Sequence, residues 1–531
     1  MSDYAASRVP VGFRWGWSHL LAILALAALV RLIFFASALG TDELVYLTHA
    51  YHLLHGDYLP TAYIGGMRDG INAFLAASLW LFGRGTAGAD GLFFACSLGQ
   101  VALTYAFAGH LWGRRAALWA GIAMAALPLE IVQAGSLQPD PYLGLMIALS
   151  IVVFYFAERA DRPALYLAAG LLVGWVFWIK QVVVVYALVF VFLALTDRRW
   201  RVGWLWFAFG AALLLVAHLA LFAIVYGDPL YFFEAYHNFV IDTHISVDIT
   251  DTSPWTYIIL LFVNIYHTGL VGWLALAACI LATCRGNEPR IRFVLVWGLG
   301  LLAIFSLMPI SFSPLKFIAK QSNYMDIFMM PLALLAGWFL AQQRRGITLI
   351  LGGAMVASGI ALSALEQQVV QVVTVNGRAA AAFAENHAGI PVFGPLTAQR
   401  QSMLARLLRG SLDGSHDIQP YAELRGISDG NGVANEVVAY IIEDPQMRNW
   451  SGARTEVPLP RRLQECVVAA GQLDPGDLGL GHSVLAALRG VASLMPGPVA
   501  GAFTKATDPL WQVVPAKVYA VTGKCAREAQ L

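Results

Sequence analysis

Charged side chains are scarce in this sequence. Asp, Glu, Lys and Arg make up 13% of its 531 residues, while hydrophobic residues make up 58%. Ordinary soluble domains carry roughly twice that share of charge. With a mean hydropathy of +0.64, the apolar excess cannot all sit in cores with a solvated surface around them. That excludes a typical soluble enzyme and a disordered chain. Cysteine is scarce too, and five residues are too few for a disulfide scaffold. Neither sign of charge dominates: 34 Lys and Arg stand against 33 Asp and Glu, so no global field points to nucleic acid. No internal repeat is visible. What remains is a polytopic membrane protein.

Long apolar runs fill the first two thirds of the chain, and a span needs roughly 20 apolar residues. Candidates lie near 19–39, 89–112, 116–134, 142–158, 163–179, 181–196, 203–226, 257–283, 291–310, 323–342 and 347–365. The first carries Arg31 and lacks a small-residue cleavage site, so it reads as a span rather than a signal peptide. Residues 71–83 are apolar but about half a span long, which suits an interfacial or re-entrant helix. The positive-inside rule supports leaving them uncounted. With the N-terminus, Arg8 and Arg14 inside, the clusters Arg114–Arg115, Arg159/Arg162, Arg198–Arg199/Arg201, Arg285/Arg290/Arg292 and Arg344–Arg345 all fall on the same side. The reading is about 11 spans over residues 1–365, multi-pass in a plasma (inner) membrane. Residues 366–531 are richer in charge, Gly and Pro. There Val369–Val375, Ile390–Phe393 and Glu436–Ile442 alternate with helix-like stretches, as in a small extracytoplasmic α/β domain. Cys466 and Cys525 fall in it, either paired in an oxidising compartment or as two thiols.

This topology gathers polar residues on one face. Asp42 and Glu43 follow the first span, with Tyr46, His49, His52, His55, Asp57, Arg68 and Asp69 behind them. Ser136–Pro141 holds Asp140 between prolines. Gly227–Trp255 holds Asp228, Glu234, Asp242, Asp248 and Asp251 without a Lys or Arg. Ser311–Ser322 holds Lys316 and Lys320, and Lys180 sits at the junction of two apolar runs. A carboxylate at a helix end in a partly dry site suits a general base, and cations at headgroup depth suit a phosphate. The plainer readings are solvated helix ends for Asp42 and Glu43, a turn for Asp140, and a water-facing surface for the third loop. The three histidines recur every third residue, which suits a wetted helix side better than a zinc site. Lys180 and Arg31 are harder to set aside, because charge beside apolar runs is costly.

These residues carry a resemblance. Thr41-Asp42-Glu43-Leu44-Val45-Tyr46 with His55-Gly56-Asp57-Tyr58, then Leu137–Asp140, Gly170–Lys180, Gly227–Phe232 and Asn323–Gly337, resemble in order and spacing the motifs of the GT-C superfamily of polyprenyl-phosphate-dependent glycosyltransferases. The branch of protein O-mannosyltransferases and the lipid A aminoarabinose transferase is the most similar. Ile179-Lys180-Gln181 departs from the frequent Thr-Lys-Gly, and Arg68 stands where relatives carry lysine. The resemblance implies a GT-C-like fold with interfacial helices in the first outer loop. It also implies a donor sugar on a polyprenyl phosphate, a glycan, lipid or protein acceptor, and inversion at the anomeric carbon. Asp42 is the implied base, with Glu43 and Asp140 orienting the acceptor or tuning it. Lys180, Arg68 and Lys320 or Lys316 are implied to hold the donor phosphate. No cofactor is required, although a divalent metal is compatible. The rival class is a transporter or flippase of lipid-linked sugars, which usually shows repeats and a midplane site.

Overall fold

The structure is a computed structural model that describes residues 16–197, 201–240, 253–285, 288–313, 315–426, 436–446, 461–476 and 478–528. Arg8, Arg14, Arg198, Arg199, Asp242, Asp248 and Asp251 lie outside the described residues. Each apolar run forms helix. The chain runs α1 (Trp17–Ile33), α2 (Asp42–Leu54), α3 (Asp69–Phe82), α4 (Thr86–Trp112), α5 (Arg114–Ala125), α6 (Pro128–Gln133), α7 (Asp140–Ala160) and α8 (Pro163–Ile179). After a 3-10 turn (Gln181–Ala187) come α9 (Leu188–Asp197), α10 (Gly203–Tyr226), α11 (Tyr231–Val240) and α12 (Thr256–Ile258), which continues as a π turn (Ile259–Val263). Then follow α13 (Leu270–Arg285), α14 (Pro289–Leu307), the hairpin β1 (Pro309–Phe312) and β2 (Leu315–Phe317), α15 (Asp326–Gln342) and α16 (Arg345–Asn386). Among the described residues, six helical segments are long and apolar enough to cross a membrane, and further apolar helices of 10–17 residues accompany them.

Two expected runs are broken. The run 116–134 divides before Pro128, which stands at the start of α6, where a proline lacking an N–H is tolerated. The run 257–283 divides at residues 264–269 after the π turn. α3 has 14 residues, about 21 Å at 1.5 Å per residue, short of the roughly 30 Å hydrocarbon core. Gly70 at its start abuts the backbone of Trp178–Ile179 at the end of α8. Ser78 accepts from Leu92 N–H, and Asp90 accepts from Leu137 N–H in the α6–α7 loop. Both ends of α3 therefore lie at one end of the bundle.

Val369–Val375 is the clearest departure. It is not a strand: α16 runs unbroken for 42 residues, straight past residue 366. No proline interrupts the run, and Val372 and Val375 are buried on one helix side, so the 3.6-residue period wins over β-branched composition. The far end of α16 then packs on a five-stranded sheet of order β4-β3-β5-β7-β6. The strands are β3 (Val392–Gly394), β4 (Gln419–Pro420), β5 (Val437–Glu443), β6 (Val468–Gln472) and β7 (Lys517–Thr522), with α17 (Leu396–Leu408) after β3. β5 pairs parallel to β3 and antiparallel to β7. Its side chains alternate. Ile442 meets Ala380 and Ala384 of α16, while Ala439 and Ile441 join Leu463, Val521 and Cys525 on the other face. Cys466 and Cys525 are joined as a disulfide.

Candidate active site

Three helix ends meet. α2 and α7 begin with Asp42 and Asp140, and α8 ends before Lys180. Helix N-termini favour anions and C-termini favour cations, so each charge stands where its helix stabilises it. Extended backbone at Lys180 (φ −157°, ψ 94°) separates α8 from the 3-10 turn. The Lys180 ammonium donates to Asp140 Oδ1 at 3.1 Å, with both side chains buried. It also stands 4.1 Å from the ring centre of Tyr324. The anion expected of the donor thus has a resident counterpart in Asp140.

Asp42 is different, with its side chain 42% exposed. Tyr63 donates to Oδ1 at 2.6 Å, Arg68 to Oδ2 at 3.2 Å and Tyr46 to Oδ2 at 3.4 Å. Arg68 also donates to the Tyr46 hydroxyl. Burial pushes the Asp42 carboxyl up, but the Arg68 guanidinium, the Tyr63 hydroxyl and the Lys180 ammonium outweigh it and hold it below the ordinary carboxylate range. Burial alone lowers the affinity of Arg68 for its proton, yet Tyr46 and Asp42 reverse this and raise it.

Glu43 is fully buried. Its Oε2 accepts from Thr41 N–H at 2.5 Å and from the Thr41 hydroxyl at 2.7 Å, and its Oε1 accepts from Gln138 at 2.6 Å. Burial pushes its carboxyl above the ordinary range, and the Thr41 bonds offset only part. This arrangement ties the first turn of α2 to the α6–α7 loop. The C-terminal region packs on the chain just before this turn. Gln401 of α17 donates to Leu39 O at 2.8 Å. Gly40, at φ +80°, lets α17 approach until an added Cβ would stand 3.2 Å from Arg400 Cβ.

The other candidates are dispersed. Buried Lys320 donates to Ile318 O at 2.6 Å and lies 5.9 Å from the rings of Tyr257 and Phe317. Lys316 sits half-buried on β2. Arg31 pairs inside the bundle, donating to Ser97 at 2.6 Å and lying 4.0 Å from Glu130. Gln100 joins Glu130, at 3.2 Å, to Pro141 O, at 3.0 Å, beside Asp140. His52 meets Asp57 at 3.1 Å, and buried His49 lies against Gly66. Among the described residues no group of three or more His, Cys, Asp or Glu is placed to hold a metal. Sequence reasoning missed Tyr63 and Arg400, and it gave no individual role to Gln138 and Tyr324, which lie inside the segments Leu137–Asp140 and Asn323–Gly337. The charge of Arg400 reaches Tyr63.

Fold and site together define a polytopic helical membrane protein with acid–base and cationic groups at one end of its bundle. Residues 70–222 match the family model of dolichyl-phosphate-mannose-protein mannosyltransferase. The chain is similar in structure to ArnT from Cupriavidus metallidurans in the apo state, at TM-score 0.57 and 17% identity over 82% of this chain and 94% of that one. The same protein bound to undecaprenyl phosphate gives TM-score 0.56 and 15% identity, again over 82% and 94%. The archaeal oligosaccharyltransferase AglB from Archaeoglobus fulgidus, in complex with an inhibitory peptide and a dolichol-phosphate, gives TM-score 0.52 and 9% identity over 96% and 89%. No curated protein sequence matches the chain. The resemblance to GT-C glycosyltransferases is therefore shown, and at these identities it is a likeness of fold.

Proposed function

We propose that the protein is a membrane glycosyltransferase that moves a sugar from a polyprenyl-phosphate carrier to an acceptor hydroxyl, with inversion, on the extracytoplasmic face. The reading includes about 11 spans, a cytoplasmic N-terminus, and a catalytic module over residues 1–365 ahead of an extracytoplasmic α/β domain over 366–531. One observation carries it: a half-exposed carboxylate, Asp42, held ionised by Arg68 and Tyr63 beside the buried Lys180–Asp140 pair. The undecaprenyl phosphate and the dolichol-phosphate bound in two of the similar structures agree with a lipid-phosphate donor.

In this mechanism Asp42 accepts the acceptor's proton as its oxygen attacks the anomeric carbon from the face opposite the phosphate. The bond from that carbon to the phosphate oxygen breaks, and free polyprenyl phosphate leaves. Lys180 and Arg68 stabilise the charge that develops on it, with Lys320 or Lys316 as further cations. Asp140 holds Lys180 in place. Glu43, engaged by Thr41 and Gln138, positions Asp42 rather than meeting the acceptor.

The test is release of free polyprenyl phosphate from synthetic polyprenyl-phospho-sugars by purified protein in lipid nanodiscs. Release that depends on an added acceptor supports a transferase. A lipid-linked sugar carried across sealed vesicles without release would identify a transporter instead.

A further inference from the structure

Between β6 and β7 the C-terminal region carries a helical hairpin that the site does not use. Its arms are α18 (Gly479–Ala492) and α19 (Gly497–Trp511). The base of the hairpin is anchored on α16. Gly481 N–H donates to Gln367 at 3.1 Å, and Gln368 donates to Leu510 O at 2.9 Å. Gln367 also donates to Phe35 O at 2.8 Å, just past the end of α1. Val484 packs against a cluster of Val30, Phe34, Ile131 and Ala364. The anchor is thus where two apolar helices, α1 and α16, pass into polar sequence. The arms are closed by Arg489, which meets Thr507 at 3.1 Å and Asp508 at 2.7 Å, and by His482 stacked on Trp511 at 4.5 Å.

Beyond Arg489 the character changes. Residues 490–504 (GVASLMPGPVAGAFT) contain no charged side chain. Leu494 is 86% exposed at the tip, and Val491, Met495 and Val499 are exposed around it. A contiguous exposed apolar patch marks an interaction surface. Every charge on the hairpin (Arg489, Lys505 and Asp508) lies on the base side of this tip. That order, polar base and apolar tip, matches an element entering an interface with its cations at headgroup depth. Beside the anchor, Leu29, Leu32 and Ile33 of α1 are themselves exposed and apolar, so the base of the hairpin stands next to a surface suited to lipid.

We propose that the α18–α19 hairpin dips residues 490–504 into the acyl region of the adjacent leaflet and so fixes the soluble region against the bilayer. The inference requires only that the chain spans a membrane. It is independent of the sugar chemistry, so either proposal can fail alone.

The experiment uses full-length protein in nanodiscs with Cys279 and Cys284 replaced by Ser, and an environment-sensitive fluorophore on Leu494→Cys. Quenching by aqueous iodide is compared with quenching by nitroxide on the lipid acyl chain. A label on Asp413→Cys, in an exposed loop of the sheet region, is the water-side control. We expect the Leu494 label to be quenched several-fold more by acyl nitroxide than the control, and several-fold less by iodide. Val499→Cys gives a second reporter if the first variant does not fold. Iodide quenching equal to the control would overturn the proposal. Protection from both quenchers would overturn it too, because a second protein would then cover the tip.

Discussion

At the scale of single residues, the site separates a carboxylate open to a reactant from one that is not. Asp42 is open and held ionised, while Asp140 is buried against Lys180. Asp42→Asn keeps size and deletes proton acceptance. Turnover should fall about 100- to 10,000-fold, with donor binding retained, as a release assay and a donor-binding assay measure side by side. The pH profile follows with its sign. Because the folded carboxyl sits below its ordinary range, kcat/KM should be flat through neutral pH and fall only in acid. Arg68→Gln removes the cation that does most to hold the carboxyl down and leaves burial, which raises it. The acid limb should therefore move to higher pH, and an unmoved limb would detach Arg68 from Asp42. For the buried pair, removing one partner strands the other. Lys180→Met should destabilise by about 3–5 kcal/mol, while Lys180→Met with Asp140→Leu should recover folding but not donor affinity. Thermal unfolding and donor titration measure these two effects separately. Recovered affinity in the double variant would make Lys180 structural only. Asp42, Arg68, Asp140 and Lys180 were legible because a charge at the edge of an apolar run stands out. Tyr63 was not, since nothing marks one aromatic among 12% of the chain.

At the scale of elements, the site depends on how closely helices approach. α8 and α10 meet backbone to backbone. A Cβ on Gly170 would stand 2.0 Å from Phe207 O, and one on Gly210 would stand 2.5 Å from Leu167 O. Small residues are the usual means of such contact inside membranes. Gly170→Leu would push α8 off α10 and shift Lys180 at its end. Overpacking of this kind costs about 1–3 kcal/mol or more, and the expected result is a lower melting temperature with weakened donor binding. Gly353 of α16 has open space around it, so Gly353→Ala should leave both unchanged. A melting temperature for Gly170→Leu equal to that of Gly353→Ala would contradict the packing described. The helices themselves were legible from hydropathy. Their breaks at Pro128 and after Val263, and the length of α16, were not. Hydropathy follows what lipid and core share, whereas the first half of α16 exposes apolar side chains such as Leu349 and Ile350 and its second half, from Glu366 on, packs against other chain and the sheet.

At the scale of the whole molecule, orientation is the least visible property and the most consequential. The disulfide Cys466–Cys525 suits an oxidising compartment for the sheet region, which agrees with the proposal, read from the arginine distribution, that the opposite loops are cytoplasmic. α16 couples the two parts as one continuous helix, and α17 presses on the turn that carries Asp42. Under the proposed function, the compartment of the sheet therefore sets the face on which the acceptor arrives. The chain supplies its own reporter. Of the free cysteines, Cys96 is buried, Cys279 is half-buried and Cys284 is exposed at the end of α13, on a loop read as cytoplasmic. In sealed right-side-out vesicles an impermeant maleimide should leave Cys284 unlabelled until detergent is added. Asp413→Cys, in the sheet region, should be labelled at once. If Cys284 is labelled in sealed vesicles and Asp413→Cys is not, the molecule is inverted and the proposed acceptor face lies in the cytoplasm. Labelling of both without detergent would mean that one crossing between α13 and the sheet has been miscounted. The helices that bear on it are α14, α15 and α16, each long and apolar enough to cross, and three crossings are what put those two cysteines on opposite sides.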